Sequence, residues 1–83
     1  MADDSLIADV IDLVERNTGI IVGTGTLTVD SDLYAAGMSS FASVDVMISV
    51  EEAFDIEFPQ ALIQRDTFAT VRAIAQAVEQ IRG

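Results

Sequence analysis

In 83 residues the chain carries 14 acidic side chains against four basic ones, all arginine, and it has no cysteine, histidine, lysine or tryptophan; the net charge is −10. These absences exclude a disulfide framework, the usual zinc ligand set, a thiol nucleophile, an imidazole base and a Schiff-base or P-loop lysine. The charge repels nucleic acid phosphates and anionic lipid headgroups, so a basic protein surface is the natural complement.

Half of the residues are apolar and only one is proline, which reads as one ordered globular domain over residues 1–83. A domain of this size hides only about 60% of its extended surface. Apolar stretches such as Gly19 to Val22 fall far short of the roughly 18 residues that cross a bilayer. The acidic start, Met1-Ala2-Asp3-Asp4-Ser5, is unlike a secretory signal. The expectation is a cytoplasmic monomer with no membrane or nucleic acid partner.

Leu6, Ile7, Val10, Ile11, Leu13 and Val14 recur at steps of three and four and predict an amphipathic helix over 5–16. Asp3, Asp4 or Ser5 can cap it, Arg16 suits the negative end of its dipole, and Asn17 to Gly19 supplies the stop. From Gly19 to Met38 the period is lost: Gly23, Gly25 and Gly37 interrupt it, and Thr24, Thr26 and Thr28 alternate with small or apolar residues. This is a long structured loop. "TLTVDSDL" also has the alternation of a short strand, but no second strand of similar quality exists to pair with it. Either the loop makes its own contacts through Ile20, Ile21, Leu27, Val29 and Leu33, or it carries function.

A second helix is predicted over 40–54, capped by Ser39 and ended before Pro59. "FPQALIQ" reads as a short helical turn. Asp66-Thr67 begins the last helix, with Phe68, Val71, Ile74, Ala75, Val78 and Ile81 on one face and Arg82-Gly83 at its end. The predicted fold is all-α: three main helices plus one short one, a small four-helix bundle with a long loop between the first two.

Familiar motifs fail on inspection. Counting a calcium loop from Asp30 puts Ala35 where glycine is required and Phe41 where the bidentate glutamate belongs. "GTGTLT" at Gly23 has two glycines of a dinucleotide fingerprint but no helix after them. Glu51 and Glu52 are helix neighbours that point about 100 degrees apart. No catalytic constellation is present, so an enzyme is not expected.

The second helix carries too much apolar surface for one core face. Val46, Met47, Val50 and Phe54 cluster on one side, and Phe41, Val44 and Ile48 widen the arc beyond the roughly 100 to 140 degrees that a small domain needs. Asp45 and Glu52 border the excess. Either this is a docking patch edged with negative charge, or the long loop lies over Phe41 and Val44; the pattern leaves both open. Ser39 after Gly37 has the form of an N-cap, leaving Ser40 in the first turn with no capping duty. A phosphate ester there would lie beside unpaired N–H groups and the positive end of the dipole, although helix chemistry by itself accounts for two serines.

"SSFASVDVMISVEEAFDIEFP", Ser39 through Pro59, resembles the acyl carrier protein family, whose Asp-Ser-Leu motif is followed by a pattern close to "V-[DE]-x-x-x-x-[LV]-E-E-x-F". Anchoring on Val44, Glu51, Glu52 and Phe54 sets Ser40 at the family's attachment serine, and Thr70-Val71 matches its usual Thr-Val. Ser39 stands where the family usually has aspartate, and Phe41 where it usually has leucine. "DLYAAGMSSFASV" with "EEAFDIEFP" is most similar to the stand-alone aminoacyl carrier proteins.

The resemblance implies a 4'-phosphopantetheine arm on Ser40 that holds an activated amino acid as a thioester, with Phe41, Val44, Asp45, Ile48 and Glu52 as the partner face. It also implies three partners: a phosphopantetheinyl transferase, an amino acid:carrier protein ligase resembling a truncated class II aminoacyl-tRNA synthetase, and a downstream acyl-accepting enzyme. A carrier needs no catalytic group of its own, since the reactive thiol belongs to the arm. The alternatives are an acyl carrier for fatty acid or polyketide synthesis and a cofactor-free helical interaction module.

Overall fold

A computed structural model describes residues 4–23 and 25–83. Asp3, a candidate cap, and Thr24, in the glycine-rich loop, lie outside the described residues. Among the described residues three α-helices pack together: α1 (Asp4–Thr18), α2 (Ser40–Phe54) and α3 (Val71–Arg82). Leu6, Val10, Leu13 and Val14 of α1 meet Val46 and Val50 of α2 and Val71, Ile74, Ala75 and Val78 of α3 in one apolar core.

Helix α1 runs two residues past its predicted end because side chains complete its last turn. Asn17 Nδ2 donates to the Leu13 carbonyl at 2.8 Å and Thr18 Oγ1 to that of Val14 at 2.7 Å. Gly19, at φ +77°, then closes the helix by donating to the Glu15 carbonyl, in the left-handed conformation that glycine adopts without a Cβ penalty. Ser49 Oγ donates to Asn17 Oδ1 at 3.2 Å and ties this end to α2.

The loop makes its own contacts. Leu33, Val22 and Met38 are buried in the core, with Ile20 and Val29 packed against it. Ile21, expected inside, is 51% exposed and its neighbour Val22 takes the inward position. Backbone bonds from Leu33 N to the Ala69 carbonyl (2.7 Å) and from Arg72 N to that of Val29 (3.0 Å) staple the loop to the chain around the start of α3. "TLTVDSDL" is a turn, and no strand occurs among the described residues. Ser31 N donates to the Thr28 carbonyl and Thr28 N to Ser31 Oγ, so the polar groups that would pair with another strand are satisfied locally.

The predicted four-helix bundle is a three-helix bundle. In place of the short helix the chain makes two 3-10 turns, Gln60–Leu62 and Arg65–Phe68. Pro59 stands at the start of the first turn, where its missing N–H costs nothing, and Ile63 ends that turn by leaving the helical region at φ −86°, ψ 77°. Phe58 and Phe68 anchor the two ends of this segment in the core, their ring centroids 5.3 Å apart. Helix α3 accordingly starts at Val71 and not at Asp66. Leu33 takes the Ala69 carbonyl, and Thr70 Oγ1 accepts from Ala73 N at 3.0 Å as the N-cap. Among the described residues no helix is long and apolar enough to cross a membrane.

Candidate functional site

Gly37 turns the chain at φ +117°, a conformation open to glycine and strained for other residues. It delivers Ser39 in extended conformation (φ −77°, ψ 167°) at the mouth of α2. Ser39 Oγ accepts from Ala42 N at 3.0 Å and the Ser39 carbonyl accepts from Ser43 N at 3.0 Å, so this residue is consumed in capping. Ser40 is the first helical residue and is exposed; its carbonyl accepts from Ser43 Oγ at 2.7 Å, while its own hydroxyl makes no hydrogen bond among the described residues. Its N–H and that of Phe41 come too early in the helix to have an intrahelical acceptor. The two adjacent serines are thus chemically unlike: one hydroxyl is occupied and the other is free.

Beside Ser40 opens a groove of about 380 Å3 lined by Tyr34, Ser43, Val44, Met47, Ile63, Gln64, Arg65 and Phe68, within the usual range for small-molecule sites. An exposed, unbonded hydroxyl on a helix N-terminus, with open space next to it, fits a phosphate ester at Ser40 both sterically and electrostatically. Asp32 accepts at Oδ1 from Tyr34 N (2.9 Å) and Ala35 N (3.3 Å) and so sets the turn that holds the Tyr34 ring at the groove. Asp30 faces away into an ion pair with Arg72, Nε to Oδ1 at 2.7 Å. The two aspartates that open like a calcium loop are therefore used in turn and loop anchoring.

The over-wide apolar arc of α2 divides cleanly. Val46 and Val50 are buried, and Met47 and Phe54 pack partly against the core. Phe41 is 87% exposed, Val44 48% and Ile48 44%, so the long loop does not cover them. With Asp45 and Glu52, both exposed, they fall at i, i+3, i+4, i+7 and i+11, a single helix face. Glu51, by contrast, is structural: its carboxylate accepts from Phe58 N at 2.8 Å and its carbonyl from Ile56 N at 3.0 Å.

Tyr34, Ile63 and Arg65 at the groove escaped the sequence reading. They come from the loop and the 3-10 segment, which have no periodicity to say which way a side chain faces. The faint signal was Arg65 itself, a cation in a strongly acidic chain.

Residues 8–78 match the phosphopantetheine attachment site family. The chain is 55% identical over 56 residues, 68% of each protein, to the aminoacyl carrier protein of Agrobacterium fabrum. It is 35% identical over 54 residues to a D-alanyl carrier protein of Streptococcus pyogenes, covering 64% of this chain and 68% of that one. Among solved structures, it is similar to a chain in the complex of an engineered Bradyrhizobium japonicum glycine:[carrier protein] ligase with the carrier protein from Agrobacterium tumefaciens and ATP. There the TM-score is 0.82 at 42% identity, over 92% of this chain and 99% of the other. A free serine at a helix start, an adjoining groove, a three-helix core and these relatives converge: the chain belongs to the phosphopantetheine-bearing carrier proteins, in their aminoacyl group.

Proposed function

We propose that Ser40 bears the 4'-phosphopantetheine arm, and that the chain presents its amino acid to partner enzymes through the α2 face formed by Phe41, Val44, Asp45, Ile48 and Glu52. The arm supplies the thiol on which the amino acid is held as a thioester. The protein supplies position and charge and no catalytic group, so it works as a carrier and not as an enzyme. The observation that carries the assignment is the contrast within the serine pair: Ser39 Oγ is bonded to Ala42 N, while Ser40 Oγ is exposed and unbonded.

Three partners follow in the cytoplasm: a phosphopantetheinyl transferase acting at Ser40, an amino acid:carrier protein ligase, and a downstream enzyme that accepts the aminoacyl group. The glycine:[carrier protein] ligase bound to a similar carrier supports the second. An acidic chain of net charge −10 speeds encounter with basic surfaces, while an apolar contact of a few side chains lets the complex part again.

Intact-mass measurement after coexpression with a broad-specificity phosphopantetheinyl transferase tests the attachment point. The wild-type chain gains one phosphopantetheinyl adduct, Ser40→Ala gains none, and Ser39→Ala still gains it. An adduct that survives Ser40→Ala overturns the assignment.

A further inference from the structure

Among the described residues Arg65 is the one charged residue lining the groove that Ser40 opens on. Its guanidinium carbon lies 3.8 Å from the centroid of the Tyr34 ring, a stacked geometry that fixes a planar cation against an aromatic face. Elsewhere Arg16 pairs with Asp12 and Arg72 with Asp30, and Arg82, outside the groove lining, lies over the Phe54 ring at 5.8 Å. Arg65 has no carboxylate partner among the described residues, in a chain with 14 acids to choose from. Stacking occupies the face of the guanidinium and leaves its edge N–H donors available. Tyr34 is in turn held by the Asp32 turn, and Arg65 by the 3-10 turn whose other end, Phe68, is buried in the core. Two independently anchored elements therefore meet to set a cation in the wall of the groove that Ser40 also lines.

We infer that Arg65, stacked on Tyr34, is a positioning residue that holds the phosphodiester of the arm and lays the start of the arm into the groove between α2 and the 3-10 segment. The phosphodiester carries one negative charge and accepting oxygens, which suit the edge of a guanidinium. The groove offers apolar wall from Val44, Met47, Ile63 and Phe68, and the side chains of Gln64 and Ser43, which donate to the Ala61 and Ser40 carbonyls, keep oxygens that can accept from the amide N–H groups of an arm of alternating amide and aliphatic units. An exposed contact of this kind is screened by salt, so the arm's hold on the groove weakens as ionic strength rises. This inference rests on Ser40 being the attachment point.

The test compares apo and holo protein, wild type and Arg65→Gln, by 15N–1H and 31P NMR after intact-mass measurement of each sample. In wild-type holo protein, amide shifts between apo and holo extend beyond residues 39–43 to Tyr34, Gln64, Arg65 and Phe68. The phosphorus resonance is displaced from its position in Arg65→Gln holo protein and moves toward it as salt is raised. In Arg65→Gln the long-range shifts vanish while the spectrum stays as dispersed as wild type, and Arg65→Lys restores part of them. A Ser40 adduct with shifts confined to residues 39–43 in wild type, or with the same 31P position in wild type and Arg65→Gln, overturns the role of Arg65 and leaves the attachment point standing. No adduct at Ser40 overturns the attachment point itself.

Discussion

Replacing Phe41 with alanine separates docking from folding. The ring is 87% exposed, so the folded chain loses almost nothing with it, within about 0.5 kcal/mol. Burying a phenylalanine fully is worth roughly 1.5–3 kcal/mol. Taking the exposed fraction as what a partner can cover, Phe41→Ala weakens docking by about 1.3–2.6 kcal/mol, a rise in Kd of roughly 10–80-fold. Isothermal titration calorimetry against a glycine:[carrier protein] ligase measures the affinity, and thermal unfolding measures the stability. Val46→Ala serves as the mirror image on the same helix. Val46 is 0% exposed, so truncation leaves a core cavity and costs about 1.5–3 kcal/mol of stability, while binding measured well below its Tm stays at the wild-type value. The reasoning is refuted if Phe41→Ala binds within threefold of wild type, or if its Tm falls by more than about 4 °C, the shift that a 1 kcal/mol folding defect would give.

Ser39→Ala removes the bond to Ala42 N and lowers stability by about 1 kcal/mol, seen as a fall in the urea midpoint with modification at Ser40 retained. Asp55, the C-cap of α2, sits in the left-handed region at φ 54°, ψ 51°. Asp55→Gly removes the Cβ penalty there and raises the urea midpoint by the equivalent of roughly 0.5–1 kcal/mol; an unchanged or lower midpoint counts against strain at this residue. The hydrogen bond from Arg72 holds the Asp30 carboxyl below its ordinary value of 3.8. A carboxyl depressed by folding stabilises the protein above its unfolded value, and that contribution is lost as pH falls through the folded one. Wild type should therefore exceed Asp30→Asn in urea midpoint at neutral pH, with the gap closing below about pH 3.8; parallel curves down to pH 2 would show that the pair does nothing for the fold.

Periodicity made the three helices legible, because each must bury one face and residues three and four apart are forced onto it. It was silent wherever the backbone is held by capping or by single long-range bonds. Asp66-Thr67 has the composition of a helix start, yet the carbonyl of Ala69 is committed to Leu33 N and the helix waits for the Thr70 cap. Ile21 and Val22 are equivalent in sequence, and only the path of the loop decides that Val22 is the one inside. For the site, the register that sets Ser40 at the attachment position is what the resemblance to the acyl carrier family implies, anchored on Val44, Glu51, Glu52 and Phe54; the residues alone show only that Ser39 caps and that α2 carries an excess of apolar residues. Whether the loop covers Phe41 and Val44 was not readable, since that depends on where a non-periodic segment lies. The groove was invisible for the same reason: Tyr34, Ile63 and Arg65 are brought to Ser40 by tertiary structure alone.

The exposed half of α2 also has a thermodynamic consequence. A chain of 83 residues has a net stability of only about 4–12 kcal/mol to draw on, and folding the loop over Phe41, Val44 and Ile48 would add several kilocalories to it. The chain instead spends its loop on Val22, Leu33 and Met38, residues that fix the approach to Ser39 and Ser40, and leaves the other apolar arc to solvent. That arc is a few side chains wide and edged by Asp45 and Glu52, too small for a permanent interface. Acidic charge raises the rate of encounter while a small apolar contact keeps dissociation fast. A carrier that is loaded by a ligase and must then leave it needs both. A substitution that enlarges the patch, such as Asp45→Leu, should therefore tighten binding to the ligase while slowing multiple-turnover loading in the same reaction. Tighter binding with faster loading would mean that release does not limit the cycle.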